Sequence, residues 1–172
     1  MTARASPTFA LRPFLPADAP LLATIFRASI EDLTADDYNP AQQEAWASAA
    51  DDDEAFAARL GKHLALIATL EGSPVGFASL ESPTKIDMVY VHPAVASRGV
   101  GTMLVDALEK LAAARGAPHL TVEASDGARE FFAHRGFTAE QRNTVLAGGE
   151  WLSNTTMKKK LGKGGDTVGT KQ

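Results

Sequence analysis

The stretch from Lys85 to Ala124 changes its hydrophobic period twice, and this constrains the fold more than any other feature. KIDMVYVH alternates as a strand and is ended by Pro93. Val100, Met103, Leu104, Ala107, Leu108 and Leu111 then fall at i, i+3, i+4, i+7, i+8 and i+11, one face of an amphipathic helix. Gly116 ends that helix, Pro118 stops any continuation, and HLTVEA is a strand again. A strand–helix–strand unit requires a parallel pair. Upstream, HLALIATL and VGFASLES flank the turn Glu71-Gly72-Ser73-Pro74, and a hairpin requires an antiparallel pair. The chain therefore predicts an α/β fold with a mixed central sheet.

The flanking segments fill in the order. Thr8 to Leu15 reads as a first strand. Asp18 is the expected cap of a helix reaching about Asp32, with Leu21, Leu22, Ile25, Phe26 and Ile30 on one face. Asn39-Pro40 restarts a helix that carries Trp46, and the acidic run from Asp51 to Glu54 opens another. Beyond HLTVEA, Ser125 or Asp126 is the expected cap of a short helix containing Phe131 and Phe132 and ending at Gly136. Two strands follow, from Phe137 and from Glu150 to Leu161, joined at Ala147-Gly148-Gly149. One domain over 1–161 is expected, with 162–172, which has no apolar period, as a disordered tail.

The chain has 172 residues and no cysteine, which excludes disulfides, Cys-ligated metals and Cys nucleophiles and fits a reducing, cytoplasmic setting. Its net charge of −4 gives no basic footprint for nucleic acid. The lysines at 158–160 read as a solubilised edge strand. No run approaches the ~18 apolar residues of a membrane span, and the first residues lack the apolar core of a signal peptide. The four histidines show no metal spacing, so no metal is expected.

The chemistry concentrates in VYVHPAVASRGVGTML. The first turn of a helix carries unpaired N–H groups and about half a positive charge. Gly99 and Gly101 have no Cβ to hold an anion off the backbone, and Arg98 adds a full charge. Together these suit a phosphate or pyrophosphate. A plain glycine-bearing helix start is the bland alternative. A dinucleotide-binding reading has Glu123 in place for the ribose acid, but Leu104 stands where its third glycine is needed and the loop from Val91 to Gly99 is too long. The phosphate-loop motif of NTPases is absent.

The same residues resemble the GNAT superfamily of acyl-CoA-dependent N-acyltransferases. Ala96-Ser97-Arg98-Gly99-Val100-Gly101 matches both glycines of the family's Gln/Arg-x-x-Gly-x-Gly/Ala motif, with Ala96 in the Gln/Arg place. Val89-Tyr90-Val91-His92-Pro93 is similar to the family's strand end. A second block runs from Ser125 to Phe137: Ala128, Gly136 and Phe137 match, Ser125 replaces Asn, and Phe132 replaces Tyr.

The resemblance implies a GNAT-like mixed, mostly antiparallel central sheet with helices on both faces, and acetyl-CoA as acyl donor. The backbone of Arg98, Gly99, Val100, Gly101 and Thr102 would hold the pyrophosphate. The Val89 amide would bond the thioester carbonyl, Val91 would pair with pantetheine, and Ser125, Ala128 and Phe132 would line the thiol side. Phe132 cannot supply the proton that the family's tyrosine gives the leaving thiolate. The acceptor would be an amine of a small molecule or peptide, attacking directly. Glu123 and Asp87 are the candidate bases, Tyr90 is the nearest phenol, and Glu31 and Tyr38 would edge the acceptor pocket. A monomer or homodimer is expected. A non-catalytic acyl-CoA sensor is the alternative that the Ala96 and Phe132 departures permit.

Overall fold

The computed structural model describes residues 8–162. The expectation for 162–172 therefore falls outside the described residues, apart from Gly162. Seven strands form one sheet in the order β1-β2-β3-β4-β5-β7-β6. They are β1 (Phe9–Pro13), β2 (Leu64–Leu70), β3 (Ser73–Ser82), β4 (Lys85–Val91), β5 (His119–Ser125), β6 (Thr138–Ala147) and β7 (Glu150–Lys160). Of these neighbours, only β4 and β5 run parallel. The helices are α1 (Ala19–Leu33), α2 (Pro40–Ala47), α3 (Asp53–Lys62), α4 (Val100–Ala114) and α5 (Arg129–His134). This is the mixed sheet that the periods predict.

The helices bury two separate cores. On one face, Leu104, Val105 and Leu108 of α4 pack with Ala78, Leu120, Val122 and Phe132. On the other, Leu22, Phe26 and Ile30 of α1 pack with Phe56 and Leu60 of α3 over Ile67, Phe77 and Met88. A sheet covered on both faces makes its strand interiors nearly continuous apolar runs, as LALIATL is.

Local signals place the helix starts with two exceptions. Asn39 caps α2 as expected, and its side chain and that of Gln42 form a reciprocal capping box. Asp18 precedes α1, but its carboxylate accepts from Arg12 and the Leu15 N–H and leaves the α1 amides alone. The cap position of α5 is Ala128, neither Ser125 nor Asp126. Ser125 is held in β5 opposite Asn154, and the Asp126 carboxylate is taken by Arg142. Asp18 and Asp126 are each held by an arginine instead.

Two irregularities shape the middle of the sheet. On β4, Met88 faces Ser79 while Ile86 faces Leu80, so Asp87 is an extra residue, a β-bulge. The bulge reverses the alternation: Ile86 lies in the α4-side core and Met88 in the α1-side core. Then β4 and β5 share a single register pair, Lys85 with Thr121. Beyond it the two strands diverge and the sheet opens as a wedge.

Candidate active site

The wedge exposes backbone on β4. The His92 N–H donates to Val75 O on β3 at 2.8 Å. Amides alternate sides along an antiparallel strand, so those of Val91 and Val89 point away from β3, into the opening toward β5. Here β5 offers them no ladder partner. Unpaired amides in an apolar cleft are costly unless a ligand supplies acceptors.

The cleft has a volume of about 270 Å³ and is lined by Val89 and Val91 on one side, Ser125, Ala128 and Phe132 on the other, with Gly101 at its end. With Asp87, Tyr90 and Glu123 also on its wall, nine of the sequence-derived candidates meet in one chamber. Gly99 stands at the start of α4 with φ +86°, a left-handed conformation that glycine adopts without strain. A Cβ on Gly101 would sit 3.4 Å from the Phe131 ring and 3.9 Å from Val91, filling the space beside the helix start. Gly76 of β3 was not singled out from sequence. A Cβ there would stand 3.1 Å from both Tyr90 O and Val100 Cγ1, so this glycine lets α4 seat its first turn on the sheet. Of the other motif residues, Val100 is buried in the core and Thr102 is exposed. Arg98 is exposed, with its guanidinium 5.1 Å from the centre of the Phe9 ring.

A second, more polar chamber opens on the α1–α3 face and shares Trp46, Asp87, Tyr90, Glu123 and Ser125 with the first. The two carboxylates differ sharply. The bulge turns Asp87 toward α3, where Arg59 grips it through Nε (2.8 Å) and Nη2 (2.9 Å). His63 Nδ1 lies 3.1 Å from the same carboxylate without the angle of a hydrogen bond. Glu123 shares its face of β5 with Thr121 and Ser125, opposite the buried Leu120, Val122 and Ala124. Its side chain is 46% exposed, and among the described residues Lys85 Nζ, 3.4 Å away, is its one ion-pair contact. Arg59, His63 and Lys85 are neighbours of the two candidate carboxylates that sequence reasoning missed. Nothing in their local pattern distinguishes them from ordinary surface charges.

Tyr90 lies on the face opposite Val89 and Val91, as alternation requires, and borders both chambers. Its hydroxyl accepts from Trp46 Nε1 at 3.1 Å, and burial pushes the phenol up to about 12. Tyr38 borders the polar chamber, and burial raises its pKa as well. Glu31 is exposed and lines neither chamber. The Phe132 ring is buried between Phe131 and Phe137, at 5.1 and 5.2 Å.

Residues 34–161, which carry the wedge and the glycine-bearing helix start, match the family model of the acetyltransferase (GNAT) domain. The chain belongs to the GNAT acetyltransferase family. An uncharacterized N-acetyltransferase of Escherichia coli, YafP, is 32% identical over 150 residues, 87% of this chain and 95% of that protein. A crystal structure from Rhodopseudomonas palustris, described as a GCN5-related N-acetyltransferase and aminotransferase class II, is 65% identical. It superposes with a TM-score of 0.88 over 94% of this chain and 99% of its own. The PaiA N-acetyltransferase of Thermoplasma acidophilum, solved with coenzyme A, shares the fold at 19% identity and a TM-score of 0.76, covering 89% of this chain and 99% of its own. This GNAT chain is accordingly an acyltransferase. Among the described residues, no helix is long and apolar enough to cross a membrane, and no group of three or more His, Asp or Glu side chains is placed to hold a metal ion.

Proposed function

We propose that this GNAT domain, residues 1–161, transfers the acetyl group of acetyl-CoA to a primary amine of a small molecule or peptide, in the cytoplasm. The amine attacks directly within a ternary complex. The observation that carries this reading is the wedge: two β4 amides facing an apolar cleft that leads to a helix N-terminus. An extended pantetheine arm offers acceptors to the Val89 and Val91 amides, and the backbone of Arg98 to Thr102 suits the pyrophosphate. The first steps in the opposite chamber are electrostatic. An alkylamine of pKa near 10 is mostly protonated at neutral pH, so the acceptor must lose a proton before it attacks. Glu123, exposed and loosely held, is the group to receive it, directly or through water.

The amine nitrogen then bonds to the thioester carbon. The charge that develops on the carbonyl oxygen meets the Val89 N–H. As the C–S bond breaks, its electron pair goes to sulfur. Phe132 has no proton to give. The nitrogen sheds its surplus proton to water as the amide forms, and the thiol, of ordinary pKa about 8.5, departs as the thiolate and takes a proton from solvent. No cysteine exists to carry the acetyl group, which supports direct transfer over a two-step route.

The test combines binding and turnover. CoA at a hundredfold excess over Kd should stabilise the fold by about 2.7 kcal/mol, and NAD should not. A panel of amines should then release free thiol from acetyl-CoA. Protection by NAD alone would overturn the reading. Protection by CoA with no thiol released by any amine would favour the acyl-CoA sensor.

A further inference from the structure

Three aromatic side chains cross the open end of the wedge in series. Tyr90 stands on β4, and its hydroxyl accepts from Trp46 Nε1 of α2. The Trp46 ring meets Tyr38 edge-on, with 5.4 Å between centroids. The Tyr38 hydroxyl donates its one hydrogen to Ser153 O of β7 at 2.6 Å. It also accepts from the Asp126 N–H, just past β5, at 3.0 Å. Tyr38 is only 5% exposed. The two halves of the sheet are joined by one ladder pair at the closed end of the wedge, so hydrogen bonding within the sheet does not set the width of its open end. On the α1–α3 face, this aromatic series does. Gln42 adds a parallel tie, Nε2 to Trp151 O at 2.9 Å, farther out along the β6–β7 hairpin.

We infer that Tyr38 is a positioning residue: its hydroxyl fixes the separation of the two half-sheets, and with it the fit of the pantetheine arm between β4 and β5. This rests on the proposal that the wedge holds CoA. It also gives the phenol a different role from edging the acceptor pocket, because its hydrogen is spent on backbone. The nucleotide end of CoA lies outside the wedge, at the α4 helix start, and does not depend on the separation.

The test is Tyr38→Phe, which keeps the ring and its volume and removes both backbone contacts. Binding of CoA and of 3′-phospho-ADP, the nucleotide without its pantetheine arm, is measured by calorimetry on wild type and variant. CoA should weaken about tenfold, the size of one lost hydrogen bond, while 3′-phospho-ADP keeps its wild-type affinity. That unchanged affinity also reports an intact fold. Unchanged CoA affinity would overturn the inference. So would an equal loss for both ligands, because the hydroxyl would then support the fold in general. Wild-type protein that binds neither ligand would overturn the proposal that the wedge holds CoA.

Discussion

Replacing Glu123 and Asp87 in turn separates a base from a structural carboxylate. Asp87→Asn removes the charge that Arg59 grips through two hydrogen bonds at 2.8 and 2.9 Å. A hydrogen bond to a charged group contributes about 1.5–3 kcal/mol. The Asp87 side chain is only 11% exposed, although the 39% exposure of Arg59 places the loss at the lower end. At about 2–4 °C per kcal/mol for a chain this size, Tm should fall by about 3–8 °C. Glu123→Gln loses one loose contact to Lys85 on a half-exposed side chain, within about 0.5 kcal/mol. If Glu123 takes the amine proton, its kcat should instead fall by about 10²–10⁴. That is about 3–5 kcal/mol of barrier at 1.36 kcal/mol per decade. The assay pairs thermal denaturation with thiol release at saturating acetyl-CoA, across amines of differing pKa. Amines already neutral at assay pH should show the smaller loss. The reasoning fails if Glu123→Gln turns over within threefold of wild type, or if Asp87→Asn loses its rate at an unchanged Tm.

Two further outcomes follow from the same geometry. Gly101→Glu should keep the fold, since its Cβ reaches only ordinary contact with Phe131 and Val91. Each unit of like charge about 4 Å from the carboxylate costs about 1–4 kcal/mol at effective dielectrics of 80 to 20. A CoA titration by calorimetry should therefore show affinity lower by at least about thirtyfold, and a wild-type Kd would place the anion elsewhere. Both tyrosines titrate late because burial disfavours the phenolate, Tyr90 near 12 against an ordinary value of 10.0. Absorbance near 295 nm should show little tyrosinate in the native protein until about pH 11. A group whose folded pKa is raised contributes stability that is complete below its unfolded pKa. Denaturation midpoints should therefore decline as pH rises from about 10 toward 12. A native titration midpoint near 10 would contradict the burial of Tyr90.

Local chemistry writes much of this protein directly into its sequence. The capping box at Asn39 and Gln42, the i, i+3, i+4 stripe of α4 and the turn at Glu71-Gly72 each act within a few residues, so their outcome does not depend on the rest of the chain. Caps fail where an arginine outside the helix competes, as Arg12 does for Asp18 and Arg142 for Asp126. The strand–loop–helix junction with Gly99 and Gly101 is equally readable, because an anion site at a helix start is built from consecutive residues.

The tertiary structure alone decided the rest. Simple alternation puts Asp87 on the same face as Val89. The bulge, set by how β4 registers against β3, turns it toward Arg59 instead. Whether β4 and β5 stay paired or open depends on packing across a sheet whose partners lie more than thirty residues apart in sequence. Tyr38 reads locally as a loop tyrosine, yet it closes hydrogen bonds to residues 88 and 115 positions away. Sequence period reports which side chains are buried. It does not report which strand residue faces which, because register depends on long-range contacts that no local window contains.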